Sequence, residues 1–269
     1  VDTASTLTVT SSTDTTFTGA VTAADIALTA STGTITFSGD TTATNGLTTT
    51  TSVTDLVFGE NLNIDTAAVL FNNTGALTLG VGGADVLTFD GGVTTTGVGG
   101  TVTLNGDVVT SADAATFGAL TLAGASSIDT TNGALTLGAV TGAGSSLSLD
   151  AGTGGSITGT TVAGVSDLVI VDGDSTTTAV DFSGAVTTTS SIDLNGTQGG
   201  TYTFDGVVTT PTLTTNVAND GNGAFALTLN GGTSITNAVA FDNTVALTLV
   251  GTTADQFYEG GVDTTGVGG

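Results

Sequence analysis

Short runs in which apolar and small polar side chains alternate recur along the whole chain. Leu7-Thr8-Val9-Thr10, Ile26-Ala27-Leu28-Thr29 and Thr34-Ile35-Thr36-Phe37 each place their apolar residues on one face. This period of two is typical of half-buried β-strands, and the Ser/Thr/Asp/Gly clusters between the runs are typical of turns. The strong helix formers Glu, Lys, Arg, Gln and Met are nearly or wholly missing. The pattern therefore predicts an all-β protein built from short strands.

Internal repetition indicates how these strands are arranged. The phrase Ala-Leu-Thr-Leu begins at residues 76, 119, 134, 226 and 246. Phe17, Phe37 and Phe58 follow one another at nearly equal intervals, and later phenylalanines recur at similar intervals. Such spacings favour a parallel β-solenoid (β-helix) with coils of roughly 16–22 residues, each made of three short strands and three turns. Tandem β-sandwich domains are the alternative, because they also contain short strands separated by regular turn signals.

A longer repeat lies above the level of single coils. Residues 71–100 and 241–269 both begin with Phe, Asn or Asp, Asn and Thr, and both end Thr-Thr-Gly-Val-Gly-Gly. The offset between them is 170 at the phenylalanine and 169 at the closing glycine. Upstream, residues 17–21 match residues 182–186 at an offset of 165. The chain therefore contains two versions of one block.

These offsets predict one continuous β-repeat domain over residues 1–269. Within it, residues 12–100 and 175–269 form the similar blocks and residues 101–174 form a shorter variant. Neither end shows an atypical capping segment, and open strand edges invite pairing with further strands. We therefore expect the chain either to be a piece of a longer array or to abut another copy of itself.

The charge balance is one-sided, with 24 acidic residues and no Lys, Arg or His. No side-chain salt bridge can form, so each carboxylate must be solvated, hydrogen-bonded to a neutral donor or bound to a cation. The absence of basic residues excludes an electrostatic surface for nucleic acid. With 38% hydrophobic residues and a mean hydropathy of +0.40, the composition is too apolar for a disordered chain. No apolar run is long enough for a transmembrane segment.

The residue types also limit catalysis. Without His, Cys, Lys and Arg, the chain cannot form Ser–His–Asp triads, cysteine nucleophiles, Schiff bases or histidine-ligated zinc sites. A pair of carboxylates of the glycosidase type stays open as an alternative. Glu60 and Glu259 are the only glutamates, and no pair is distinguished by its spacing. We expect no catalytic residues and no enzymatic activity.

Calcium is the ion that best suits the oxygen-rich turns, since it takes several carboxylate, carbonyl and water ligands. Residues 80–88 resemble one nonapeptide of the calcium-binding RTX β-roll and carry Asp85, with Asp90 just beyond. Residues 171–174 and 219–223 each place two oxygen ligands two positions apart on a tight turn. The candidate metal ligands are Asp85, Asp90, Asp172, Asp174, Asp220 and Asn222. The alternative for each is a turn in which Asp or Asn caps its own backbone.

Two phrases carry a resemblance to known proteins: Thr-Val-Thr-Leu-Asn-Gly-Asp-Val at 101–108 and Gly-Ala-Leu-Thr-Leu-Gly at 133–138. In these and in composition the chain resembles the β-strand-repeat regions of large bacterial surface and secreted proteins. Filamentous-haemagglutinin-like adhesins, autotransporter passengers and surface-layer proteins are such families. The resemblance implies a parallel β-solenoid, an extracellular or cell-surface location and a structural or adhesive role.

These observations lead to three ordered expectations. The first is an extracellular structural protein that assembles with copies of itself into a fibre, sheath or surface layer, with cations bridging its acidic faces. The second is the stalk or passenger region of a bacterial adhesin, for which a cell-surface glycan is the expected partner. The third is a solenoid enzyme acting on polysaccharide, for which the sequence offers no groove or fixed carboxylate cluster.

Overall fold

The protein is all-β, with parallel strands stacked as a β-solenoid of about 11 turns, called coils below. The computed structural model describes residues 1–172, 179–196, 198–215, 224–250 and 255–268. In these ranges there is no helix, and the strand pairs are parallel rather than antiparallel hairpins. The predicted parallel solenoid is therefore confirmed over tandem β-sandwiches. The strands divide into two compact units, Val1–Thr130 and Thr131–Gly269.

The first unit contains strands β1 to β16. In chain order they are Leu7–Val9, Thr15–Phe17, Val21–Leu28, Ser31–Phe37, Thr41–Thr49, Val53–Phe58, Leu62–Ile64, Val69–Leu70, Leu77–Leu79, Val86–Phe89, Val93–Thr94, Val102–Leu104, Asp107–Val109, Ala115–Phe117, Leu120–Leu122 and Ser126–Asp129.

Three parallel ladders run through this unit. The first joins β2, β4, β6, β9, β12 and β15. The second joins the start of β3 and of β5 to β7, β10, β13 and β16. The third joins β1 to the ends of β3 and β5, and it also contains β8, β11 and β14. The long strands β3 and β5 thus turn a corner and serve two ladders each.

The second unit contains strands β17 to β32. They are Leu135–Leu137, Val140–Thr141, Leu147–Asp150, Ile157–Gly159, Val162–Asp172, Ala179–Phe182, Val186–Gly196, Gln198–Phe204, Val208–Thr210, Thr212–Thr214, Ala224–Leu229, Thr233–Ile235, Val239–Ala240, Ala246–Leu249, Gln256–Tyr258 and Val262–Asp263.

Parallel ladders also run through the second unit. One joins β17, β20, β22, β24, β27 and β30. Another joins β18, β21, β23, β25, β28 and β31. The long strands β21 and β23 also pair with β19 and β26, and β29 pairs with β32. Pro211 separates β25 from β26, because proline has no N–H to give to a ladder.

Each strand buries alternate side chains, so the core is a set of stacked rows. Phe17, Phe37 and Phe58 are register partners, and their rings stack with centroids 4.9 and 5.1 Å apart. Phe182 and Phe204 stack in the same way at 5.6 Å in the second unit. The spacings of these five phenylalanines therefore mark true coils, as predicted.

Other phenylalanine spacings do not mark coils. Phe71 and Phe89 meet edge to face at 6.2 Å, but the register partner of Phe89 in the preceding coil is Ile64 rather than Phe71. Phe225 likewise has its ring against Tyr202 and not against a phenylalanine of the preceding coil. Some of the intervals behind the expected coil length thus joined phenylalanines that are not register partners.

Coils differ in length along the chain. The step between register partners is short from Leu104 to Leu122 and longer from Ile64 to Phe89. The longer step exceeds the upper end of the expected range, because it contains the extended corner at residues 80–85. The residue number per coil is therefore set by the corners as well as by the strands.

Differences in coil length are absorbed at these corners. Residues 80–85 connect β9 to β10, whereas residues 105–106 connect β12 to β13 at the same corner of the next coil. The register is nevertheless kept on both sides of this corner, with Leu79 beside Leu104 and Leu87 beside Val108. The ladders therefore stay aligned although the coils differ in length.

Candidate functional site

Hydrogen bonds from the following coil hold many of the carboxylates. The backbone N–H of Thr34 donates to Asp14 Oδ1 at 2.8 Å, and the N–H of Ala76 donates to Asp55 Oδ1 at 2.7 Å. In the second unit, Asn230 Nδ2 donates to Asp205 Oδ1 at 2.7 Å. Because the chain has no basic side chain, these neutral donors do the work that ion pairs do elsewhere. The acidic residues thus help to hold successive coils together.

Two aspartates of one strand pair differ in the direction of their pKa shifts. Hydrogen bonds from Ser191, whose hydroxyl lies 2.7 Å from Asp167 Oδ1, and from Ser190 and Ser166 lower the pKa of Asp167. Burial raises the pKa of Asp193, which a hydrogen bond from Asn195 only partly offsets. Asp193 Oδ1 is buried and has no hydrogen-bond partner among the described residues. A charge at Asp193 is therefore unfavourable in the folded protein.

The six candidate calcium ligands do not form a common site in the described part of the chain. Asp85 is 7% exposed, and its Oδ2 accepts hydrogen bonds from the N–H groups of Val81 and Gly82 at 2.9 and 2.8 Å. It therefore closes the longer corner described above, as in the turn alternative. Asp90 lies at the opposite end of β10, on the order of 15 Å away for an extended strand of this length.

The other four candidates cannot be compared in the same way. Asp172 is the last residue of β21. Asp174, Asp220 and Asn222 lie outside the described residues. Among the residues that are described, no three His, Cys, Asp or Glu side chains form a group that could hold a metal ion. Calcium binding by these six residues stays a prediction.

Two buried asparagines occupy matching places in the two blocks, a feature that the sequence analysis missed. Asn73 Nδ2 donates to the carbonyl oxygens of Thr54, Gly75 and Ala76 at 3.0, 3.1 and 2.9 Å. Asn243, the counterpart of Asn73 in the second block, donates from Nδ2 to the carbonyl of Ala246 in the same way. Both side chains are fully buried. The shared Phe-Asn/Asp-Asn-Thr phrase was the available signal for this corner.

The coil formed by β29 to β32 leaves apolar side chains uncovered. Leu249 is 38% exposed and Val262 is 51% exposed. Within the described residues, β30, β31 and β32 each pair along one edge only, with β27, β28 and β29. A trough of about 400 Å³ lies along β29 and β32, between Ala238 and Asp263. This coil therefore presents both apolar surface and open strand edges.

The corresponding coil of the first block shows what normally covers such a surface. Leu79 and Val93, at offsets of 170 and 169, are 0% and 2% exposed. Leu79 is covered by Leu104 of β12, and Val93 is covered by Ala115 of β14. The exposed residues Leu249 and Val262 are thus of the type that a further coil buries.

A glycine pair makes the same comparison at backbone level. Gly92 and Gly261 have φ values of +87° and +95°, a conformation that glycine adopts readily. A Cβ on Gly92 would lie 2.6 Å from the carbonyl oxygen of Ala114 in the next coil. A Cβ on Gly261 would meet nothing within 4 Å. The space above Gly261 is therefore open where the first block has a coil.

Comparison with protein-family models, with curated proteins and with solved structures found no match. Among the described residues, the structure contains no helix long and apolar enough to cross a membrane.

Proposed function

We propose that this chain is a structural protein that assembles with copies of itself into a fibre, sheath or surface layer outside the cell. The observation that carries the proposal is the coil-to-coil cohesion of the acidic residues. Bonds such as those of Asp14 with Thr34 and Asp205 with Asn230 recur in both units. They stabilise stacking as such and do not converge on one reactive centre. A protein whose cohesion repeats from coil to coil suits a load-bearing or covering role.

The exterior supports the extracellular part of the proposal. The absence of Lys and Arg removes every site for trypsin-like proteases. Exposed carboxylates such as Asp181 and Asp205 have no basic side chain anywhere in the chain to neutralise them. Divalent cations are the simplest counter-ions for such a surface, and calcium can bridge carboxylates of neighbouring copies. Calcium is therefore proposed as a bridging ion between copies, with the six candidate residues as its first candidates.

Electron microscopy of the purified protein tests this proposal. Samples would be prepared in calcium, in calcium followed by a chelator, and in sodium chloride at the same ionic strength. Ordered fibres or sheets that dissolve on chelation support a cation-bridged structural protein. Ordered assemblies that survive chelation keep the structural role but exclude the bridging ion. Separate particles under all conditions exclude self-assembly.

The stalk or passenger region of an adhesin is the second candidate function. It is favoured by the β29–β32 coil, whose residues are of the type that a following coil buries, as in a longer array. In that case a cell-surface glycan would be bound by a part of the protein other than the described coils. The microscopy outcome of separate particles in every condition would favour this function over self-assembly.

A further inference from the structure

We infer that the β29–β32 coil of one copy is covered by the first coil of a second copy, joined head to tail. This inference rests on the proposed self-assembly and names the surfaces that make the contact. The first coil is defined here as residues 1–17, which contain β1 and β2.

The surface to be covered calls for a specific kind of occupant. Its apolar residues Leu249 and Val262 match Leu79 and Val93, which are buried by strands of the next coil. The open space above Gly261 matches the space that the next coil fills in the first block. The open edges of β30, β31 and β32 also leave backbone N–H and C=O groups for a further strand. The occupant is therefore a solenoid coil with parallel strands and an apolar inner face.

The first coil of a second copy has these properties. β1 pairs with β3 and β2 pairs with β4, each along one edge within the described residues. Asp2 forms a parallel bridge with Thr22, so three segments lie at the start of the three ladders. Phe17 stacks on Phe37 through one ring face and is otherwise half-buried. The coil thus offers an open strand edge to each ladder and an aromatic ring that is only partly covered.

The ladders define the register of the contact. In the second block, the ladder β22–β24–β27–β30 corresponds in sequence offset to β2–β4–β6–β9 of the first block. In the first block, β12 continues this ladder beyond β9. A second copy that continues it beyond β30 in the same way brings its β2 beside β30 and its β1 beside β32. The residues that become neighbours are Thr15 with Leu247, Thr16 with Thr248 and Phe17 with Leu249.

The parallel direction of all the strands fixes the polarity of the contact. A parallel ladder continues only if the next strand points the same way, so two identical ends cannot join. The contact is therefore heterologous, and repeated addition of copies gives linear assemblies unless the rotation closes a ring. Asp2 on one side and Asp263 on the other are both acidic and exposed. The contact should consequently strengthen as salt screens their repulsion.

Cysteine pairs test the register directly, because the native chain has no cysteine. Thr16 and Thr248 are both exposed, and the inferred register makes them direct neighbours on adjacent strands. Adjacent strands lie about 4.8 Å apart, within the range that a disulfide spans. The double variant Thr16→Cys/Thr248→Cys should therefore form a series of covalent oligomers on oxidation, visible on a denaturing gel. The single variants should give dimers at most.

The matched control moves one cysteine a single strand away. Thr228 is the register partner of Thr248 in the preceding coil, so Thr16→Cys/Thr228→Cys would need a disulfide across two strand spacings. That distance, about 9.6 Å, exceeds disulfide reach. Oligomers from the Thr248 pair alone support the inference. Equal yields from both pairs, or no oligomers beyond dimers, overturn it.

A second measurement uses an uncovered side chain of the contact. Leu249→Asp should weaken self-association in sedimentation velocity by roughly tenfold or more, the order expected for losing one buried leucine from a contact. The control Val207→Asp changes an apolar residue that is 43% exposed and lies outside the contact. It should leave association unchanged, and melting curves would check that both variants fold.

The two proposals fail in different ways. If the native protein forms ordered assemblies, but Leu249→Asp assembles equally well and the Thr248 pair does not cross-link, the head-to-tail contact is wrong and the structural role stands. If the native protein remains monomeric in sedimentation at every salt and calcium concentration, both the contact and the self-assembling function are wrong.

Discussion

Asn73 shows how much one polar side chain can contribute to a corner of this solenoid. Its amide nitrogen faces three carbonyl oxygens, and its fully buried side chain excludes solvent from all of them. Buried carbonyls without a donor carry a desolvation cost. The recurrence of the arrangement at Asn243 indicates that the corner depends on the amide.

We predict that Asn73→Ala lowers the free energy of unfolding by about 2–3 kcal/mol, because it leaves buried carbonyls without a donor. Asn73→Asp should be worse at neutral pH, since it places a carboxylate against carbonyl oxygens. Urea unfolding would measure both changes. Asn72→Ala is the matched control, because the Asn72 side chain accepts one hydrogen bond from Thr49 at a half-buried position. If Asn73→Ala costs no more than Asn72→Ala, the corner does not depend on Asn73.

Asp193 leads to a pH-dependent prediction. Burial raises its pKa, so the folded state disfavours the carboxylate, and this penalty appears as the pH rises through the raised pKa. Asp193→Asn should therefore raise Tm at pH 7 by roughly 2–4 °C for a chain of this size. The gain should vanish below the ordinary pKa of 3.8, where the carboxyl group is protonated in both states.

Asp167→Asn is the control with the opposite sign. Ser191, Ser190 and Ser166 lower the pKa of Asp167, so its charge stabilises the folded state above the ordinary pKa, and this contribution is lost as the pH falls. The substitution should lower Tm at pH 7 and have less effect in acid. Melting curves from acid to neutral pH would compare the two variants. A Tm change of the same sign at pH 7 in both would contradict the assignment of causes.

At the scale of the element, the stacked phenylalanines connect coils that hydrogen bonds also join. Phe37 lies between Phe17 and Phe58, and its side chain is fully buried. We predict that Phe37→Ala costs about 3–5 kcal/mol, because it opens a cavity and removes two stacked contacts. Phe17→Ala should cost about 1–2 kcal/mol, because Phe17 has one such contact and is half-buried. Equal losses in chemical denaturation would show that stacking does not set the difference.

The same rows explain how far the sequence could predict the elements. Period-two alternation in stretches such as residues 34–37 predicted strands correctly, since one face of each strand is buried. The spacing of Phe17, Phe37 and Phe58 predicted the coil because these residues are true register partners. The spacing of Phe225 does not mark a coil, because its neighbour in the stack is a tyrosine at another register position.

The candidate site was harder to predict for a physical reason. A Gly-rich segment with an aspartate reads equally as a calcium loop or as a capped turn, because both use carboxylate oxygens and tight backbone. At Asp85 two backbone N–H groups occupy Oδ2, a contact that the sequence does not encode as a pattern. The exposure of Leu249 could not be predicted either, since its Ala-Leu-Thr-Leu phrase is the same as that of buried Leu79.

At the scale of the whole molecule, the formal charge of −24 dominates the response to ions. Mutual repulsion disfavours the compact state, and salt screens it with a Debye length of about 8 Å at physiological ionic strength. We predict that Tm rises with sodium chloride and rises further in calcium at equal ionic strength. Magnesium should be less effective than calcium, since it dehydrates reluctantly. Scanning calorimetry in the three salts would compare them, and identical Tm values at equal ionic strength would exclude calcium-specific binding.

The corner between β9 and β10 has a practical consequence for engineering. Residues 80–85 occupy a place that residues 105–106 occupy in the next coil, yet the strands on both sides remain in register. The solenoid thus specifies the number and order of its strands but leaves the length of their connections open. Foreign peptides grafted into this corner should be displayed at the surface while the core is unchanged, because loop-closure entropy grows slowly with length. The molecule is in this respect a natural scaffold for presenting sequences at fixed intervals.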